Sequence, residues 1–218
     1  TFSGNVLADI SGTTKSEDTL SFGVVPQQSA SKLARLWTPV FERLSSDTGY
    51  RIEFKTAPDI PEFERRLANG EYDLAYMNPY HYTQVHEQPG YQVFARERDR
   101  EIRGVMVVRQ DSSATSLEDL DGKTLAFPAP LAFAASLVNR HELESRGIEF
   151  TPNYVGSHDA VYLWVAQGWY PGGGGILRTL ESIAPAAREQ LRVLWTSPPY
   201  PGHAVAREIG RATCRERV

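Results

Sequence analysis

Asn78, Tyr80 and His81 follow directly on a short apolar run at residues 74–77, with Pro79 set among them. An amide, a phenol and an imidazole at a strand end describe hydrogen-bonding chemistry rather than bond making. Pro79 has no N–H to give to a ladder and suits the first turn of a helix, so Tyr80, His81 and Tyr82 are placed on a helix that opens there. Three further groups stand in the same situation. Gln27 and Gln28 follow the apolar run 20–25, Ala132, Phe133 and Ala134 follow the run 124–127, and Ser157 and His158 follow the run 150–155. In open α/β sheets ligands bind outside the carboxyl ends of the strands. The unpaired N–H groups of a helix's first turn favour an anion at that edge.

Each group also has a plainer use. Asn78 and Ser157 suit helix caps, small residues at 132–135 suit tight packing of a helix on a sheet, and a lone histidine such as His158 is often structural. Nothing in the chain sets a nucleophile beside a base or pairs two carboxylates at these strand ends, so an enzyme is not expected. The five histidines show no HExxH-like spacing and the single cysteine is Cys214. No metal, cofactor or internal disulfide is therefore expected. Arg109, Arg140 and Arg178 fall away from the strand-end loops in this reading, which leaves helix N-termini, Tyr80, Ser157 and His158 to hold a charged group.

The chain has 218 residues, 41% hydrophobic and 23% charged, with a formal net charge of −4. That length suffices for two lobes of about 100 residues. The acidic balance and the lack of a Lys/Arg-rich patch exclude a nucleic-acid footprint. No apolar run reaches the ~18 residues of a membrane span, and the start carries no signal-peptide pattern.

Residues 1–19 read as a flexible leader. From residue 20 strands alternate with helices. A helix carries Leu33, Leu36, Trp37, Val40, Phe41 and Leu44 on one stripe, expected as core. Asp59, with Glu62 three residues on, caps a second helix over 60–69. Strands are expected at 51–56, 91–95 and 104–109, a charged solvent connection at 96–103, and a long helix at 176–190 after the glycines 172–175. Those glycines lack the Lys-Ser/Thr of a phosphate loop. Regular alternation of this kind implies mostly parallel sheets covered by helices. The expected organisation is a first lobe over 20–105, a second over 106–196 and a Pro-rich return crossing at 197–207.

Phe22-Gly23-Val24-Val25-Pro26, the segment from Tyr72-Asp73-Leu74-Ala75 to Pro79-Tyr80, Leu120-Asp121-Gly122-Lys123-Thr124, Gly156-Ser157-His158-Asp159 and Gly173-Gly174-Gly175 together resemble the PhnD-like phosphate, phosphite and phosphonate substrate-binding proteins of ABC importers. The resemblance runs from about residue 20 to 206. It implies a two-lobed type 2 periplasmic binding fold, monomeric and extracytoplasmic. A small anionic ligand would be held between the lobes by Gln27, Gln28, Asn78, Tyr80, Ala132, Phe133, Ala134, Ser157 and His158. The partner would be an inner-membrane permease or, in the alternative, a sensor kinase or cyclase using the same closure. Two departures stand out. Ala132-Phe133-Ala134 replaces a Ser/Thr-rich turn usual in the family, and Trp169-Tyr170-Pro171 stands where an acidic contact for an amine is common. By the same resemblance the chain is truncated. Residues 208–218, with three arginines, two glutamates and the only cysteine, are expected to be a non-native tail, the alternative being a short amphipathic helix through Ile209, Ala212 and Val218.

Overall fold

A computed structural model describes residues 19–209. Two five-stranded sheets form the frame of two lobes. The first contains β1 (Thr19–Val24), β2 (Arg51–Lys55), β3 (Leu74–Met77) and β4 (Tyr91–Arg96). Helices α1 (Ala30–Thr48), α2 (Ile60–Ala68) and α3 (Pro79–Val85) alternate with them. A two-residue strand β5 (Glu101–Ile102) then leads into the second sheet through β6 (Gly104–Arg109). That sheet is completed by β7 (Lys123–Phe127), β8 (Phe150–Tyr154), β9 (Gly173–Ile176) and β10 (Leu191–Thr196). Its helices are α4 (Asn139–Ser145), preceded by wide turns over Phe133–Val138, then α5 (His158–Ala166), α6 (Leu177–Glu181) and α7 (Pro185–Arg188). The chain returns through β11 (Tyr200–Pro201) to β12 (Ala204–Glu208) in the first sheet.

Strand order is β2-β1-β3-β12-β4 in one sheet and β10-β6-β9-β7-β8 in the other. In each sheet one strand opposes the rest. β12 runs antiparallel to β3 and β4, and β6 antiparallel to β9 and β10. These are the two strands that have just crossed from the other lobe. The crossings pair with each other, Tyr200 opposite Ile102 and Pro201 opposite Glu101. They are further tied by Ser197, whose N–H donates to Gly104 O and whose Oγ accepts from Gly104 N, both at 2.9 Å.

The passage between lobes therefore lies at β5 and not at the 105/106 boundary expected from sequence, which would cut β6 in two. Gly104 to Val108 are all buried, so nothing in that run marks an edge. The marker is the two-residue β5, hidden in a stretch of exposed charges. At the other end, Glu208 is buried in β12 and its N–H donates to Asp73 O at 3.0 Å, while Ile209 N donates to Gly90 O. These two residues, assigned from sequence to a tail, belong to the first lobe. The expectation for 210–218 and nearly all of the leader lies outside the described residues, and Thr19 already pairs with Arg51.

Two other expectations change. The expected helix over 176–190 is two short helices, α6 and α7, and its first residue belongs to β9, which is buried throughout, pairs along its length with β6 and meets β7 at Gly173. On α1, Leu33 and Phe41 are buried with Trp37 packed beside them, but Leu36, Val40 and Leu44 are exposed. The sheet covers only the row at i, i+4, i+8 that begins at Leu33. The neighbouring row beginning at Leu36 lies about 60° further round the helix and is left largely to solvent.

Capping follows the sequence closely. Asp59 accepts from Glu62 N at 2.8 Å, Asn78 from His81 N at 2.7 Å and Ser157 from Ala160 N at 3.1 Å. A less visible device anchors α4. Asn139 is fully buried and its Nδ2 donates to Ala135 O and Val105 O, both at 3.0 Å, with Gly175 O at 3.4 Å. One amide thus pins the helix to two strands. Asn139→Ala is expected to destabilise the protein by roughly 1–3 kcal/mol, through the carbonyls left without this donor. Urea denaturation checks it, and a loss under about 0.5 kcal/mol would show that the staple carries little.

Candidate functional site

The strand ends of the two lobes face each other across a small cavity. Its walls from the first lobe are Val25, Gln27, Ile60 and Asn78, and from the crossings Ile102 and His203. From the second lobe come Ala132, Phe133, Ala134, Ala135, His158 and Ile176. The lobes are closed on each other, since Ile60 of α2 packs in one apolar cluster with Ala129, Ala132, Ala134, Ala135 and Ile176. The space left is about 10 Å³, room for roughly one water.

Of the residues singled out from sequence, Gln27, Asn78, Ala132, Phe133, Ala134 and His158 line this cavity. Gln28, Tyr80 and Ser157 are not among the walls. Gln28 instead reaches across the cleft, its Nε2 donating to Ser182 Oγ at 2.9 Å, beside Lys32, whose Nζ donates to Ser182 O at 3.1 Å. Tyr80 is half-buried on α3, and Ser157 spends its Oγ on the α5 cap. Sequence reasoning missed His203, Ile60 and Ile176. It also placed Arg178 away from the cleft, yet Arg178 lines an adjoining cavity of about 240 Å³ together with Tyr76 and His203. The expected long helix had hidden this, because α6 begins only at Leu177 and sets Arg178 next to the cleft residue Ile176.

The polar groups that meet at the small cavity are almost all neutral. Asn78 Oδ1 is used as a cap, while His81 Nε2 lies 3.0 Å from Glu64 Oε1 and 3.1 Å from Asn78 Nδ2. The Asn78 amide nitrogen carries two N–H groups and the contact with His81 takes at most one of them. From the second lobe, Phe133, Ala134 and Ala135 form the first turn of a helix, where the N–H groups have no carbonyl of that helix to meet. His158 is buried at the start of α5, with Nδ1 3.4 Å from Thr179 Oγ1, and burial holds its pKa down at about 4. His203 is buried too, stacked on Tyr76 with ring centroids 5.0 Å apart, and burial, reinforced by His81, Arg178 and His158 nearby, lowers its pKa to about 3. At neutral pH both imidazoles are uncharged hydrogen-bonding groups. No carboxylate is among the cavity walls, so what the site offers a small solute is donors and apolar surface.

The sequence profile of the periplasmic substrate-binding proteins of phosphonate ABC transporters matches residues 22–210. The chain belongs to this family. Among curated relatives it is 22% identical over 221 residues to the phosphate-import protein PhnD of Mycolicibacterium smegmatis, covering 87% of this chain and 66% of that protein. It is 22% identical over 219 residues to the phosphonates-binding periplasmic protein of Escherichia coli, covering 94% of this chain and 65% of the relative. The chain thus spans just under two thirds of the length of these relatives. Among solved structures, PhnD1 from Prochlorococcus marinus in complex with methylphosphonate superimposes with a TM-score of 0.80 at 19% identity, over 92% of this chain and 82% of that one. The two-lobed α/β architecture with a cleft between lobes is the fold of this family. The curated relatives are named for phosphate import and for phosphonate binding. No helix among the described residues is long and apolar enough to cross a membrane.

Proposed function

We propose that this protein captures a small oxyanion of the phosphonate or phosphate class between its lobes, outside the cytoplasm, and hands it to the permease of an ABC importer. The observation that carries this reading is the convergence of donors from both lobes on one closed cavity. Phe133, Ala134 and Ala135, at a helix start, line it with His158 from one side, and Asn78 with Gln27 from the other. An anion placed there is held by dipoles and neutral N–H groups without a countercharge, an arrangement that helix N-termini support. The Ser/Thr hydroxyls usual in the family are absent, so the backbone carries that share. Ile60, Ile102 and Ile176 leave apolar wall for a short alkyl substituent and no acid to receive an ammonium. Closure of hinged lobes on such a ligand is the element a permease would read.

Isothermal titration with methylphosphonate, phosphite, phosphate and 2-aminoethylphosphonate tests the reading. Methylphosphonate or an inorganic member is expected to bind, with the aminoalkyl compound weaker. His158→Ala is expected to cost about 1–3 kcal/mol of affinity as the loss of one donor to an ionised group. Arg178→Ala, which removes an exposed charge paired only loosely with Glu97 at 3.8 Å, is expected to change affinity by less than about threefold. The reverse ranking would move the anion from the small cavity to the neighbouring one.

A further inference from the structure

His203 has a feature that capture by N–H groups does not use. Its Nε2 is buried with no hydrogen-bond partner, and the residue, 7% exposed, is a wall of the small cavity. An imidazole nitrogen left alone inside a protein carries a desolvation cost that native structures seldom leave unmatched. Here the ring is also fixed, stacked nearly parallel to Tyr76 at an interplanar angle of 19°. It therefore cannot swing out to water while the lobes are closed.

We propose that His203 is the proton-bearing contact of this site, so that the protein takes up an oxyanion together with one proton shared between a ligand oxygen and His203 Nε2. The inference rests on the capture reading and adds the charge state in which the solute is held. The balance is simple. A free dianion and a neutral imidazole become a complex with one proton more, drawn from solvent, whether that proton sits on oxygen as P–OH donating to nitrogen or on nitrogen as N–H donating to oxygen. Either form gives the orphaned nitrogen its partner and halves the charge that the cavity must hold.

The surroundings explain why a proton would arrive only with an anion. On the first-lobe side His203 faces Tyr76 and His81, and on the second-lobe side His158 and Arg178. Burial comes first, and His81, Arg178 and His158 add to it, in opposing a positive ring, while Tyr76 offers it no negative charge. The adjoining cavity adds Arg100 and Arg103 with Glu97, Asp99, Glu101 and Glu181, acids that are paired in part with arginines, as in Arg100–Glu97 at 2.7 Å and Arg103–Glu101 at 3.2 Å. No carboxylate among the cavity walls stands ready to neutralise the imidazolium. An incoming oxyanion supplies the missing negative charge, and the proton follows.

A ligand that can hold such a proton is thereby separated from one that cannot. Methylphosphonate has a second ionisation near neutrality, while methanesulfonate has none and would have to protonate the ring unaided.

Calorimetric titration of the wild-type protein with methylphosphonate at pH 8, in buffers of different ionisation enthalpy, reads the proton count. About one proton taken up per ligand is expected, with affinity falling close to tenfold per pH unit above the ligand's second pKa. Methanesulfonate should bind at least tenfold more weakly at pH 7. His203→Gln, checked for folding by circular dichroism, should bind with the proton count reduced toward zero, whereas His158→Gln should weaken binding and keep the count. Binding of methylphosphonate by the wild type with no proton uptake overturns this inference and leaves capture standing. Uptake that survives in His203→Gln overturns it as well, by placing the proton elsewhere. Absence of binding to any oxyanion overturns both.

Discussion

Gly174→Val is expected to leave the second lobe unfolded, with near-UV circular dichroism and methylphosphonate binding both lost. Gly174 lies in the middle of β9, opposite Met106. A Cβ added there would stand 2.3 Å from Ala135 O and 2.6 Å from two ring carbons of Phe127. The oxygen is backbone and cannot turn aside, and it is also the acceptor of the Asn139 amide. Phe127 is fully buried and packed in the cluster of Met106, Val108, Leu125 and Leu143. Even Gly174→Ala should cost about 3 kcal/mol, the upper part of the usual range for overpacking a closed core. The two further methyls of valine exceed what a domain of ordinary stability can absorb. The function is touched by the same clash. The helix that must retreat is the one whose first turn, Phe133 to Ala135, lines the cleft and is proposed to hold the anion, so the alanine variant, if folded, should bind methylphosphonate at least tenfold more weakly. A Gly174→Ala protein with wild-type stability in urea would show that the helix does not sit this close to β9. Gly175 is bound by a similar constraint, since an added Cβ would meet the buried Tyr162 hydroxyl at 2.1 Å. That hydroxyl donates to Ile176 O at 2.8 Å and accepts from Ile176 N at 2.9 Å.

Between pH 7 and pH 4 the protein is expected to lose about 3 kcal/mol of folding stability for each of two histidines. His158 and His203 hold folded-state pKa values of about 4 and about 3, both lowered chiefly by burial. In the unfolded chain each would titrate near 6.5. The unfolded state therefore binds more protons throughout the window between, and stability falls as the pH falls. The contribution is fully present above about pH 6.5, declines through the weakly acidic range and is gone below about pH 3. Exposed carboxylates do not imitate this. Glu62, hydrogen-bonded by Arg65 and Arg66 and held down at about 2, loses its own contribution only as the pH falls through its ordinary value of 4.5 and below, so the part of the slope between pH 7 and pH 5 belongs to the histidines. Urea midpoints at pH 7, 6, 5 and 4 for the wild type, His158→Gln and His203→Gln measure it directly. Each glutamine should remove its own share of the slope, and a wild-type midpoint that stays flat to pH 4 would mean that neither imidazole is kept from water.

The sequence by itself determined the alternation of strands and helices, the helix starts at Asp59, Asn78 and Ser157, and the four strand ends where solute chemistry would gather. These are local matters. A carboxylate or amide caps the helix whose first turn it precedes, a proline refuses a ladder, and an apolar run is buried wherever the fold later puts it. It also carried enough ordered motifs to point to the family. Only the tertiary structure decided which of the residues at those ends face each other. Asn78 and His158 are far apart in the chain and meet at one cavity only when the lobes close, whereas Tyr80 and Ser157, one or two positions away, are turned to other uses by the helical rotation of about 100° per residue. Gly173 to Ile176 were illegible as a strand because glycines have no side chains to show a period. Their assignment comes from what presses on them, namely Ala135, Phe127, Val161 and Tyr162. The exposed row of α1 and the missed Arg178 have the same origin, since a helix stripe or a basic residue says nothing of which neighbour covers it. His203 makes the point most sharply. It lies in a Pro-rich return between two short strands, with no pattern to mark it, and becomes a buried imidazole with an unpartnered Nε2 because the crossing carries it between Tyr76 of one lobe and His158 of the other.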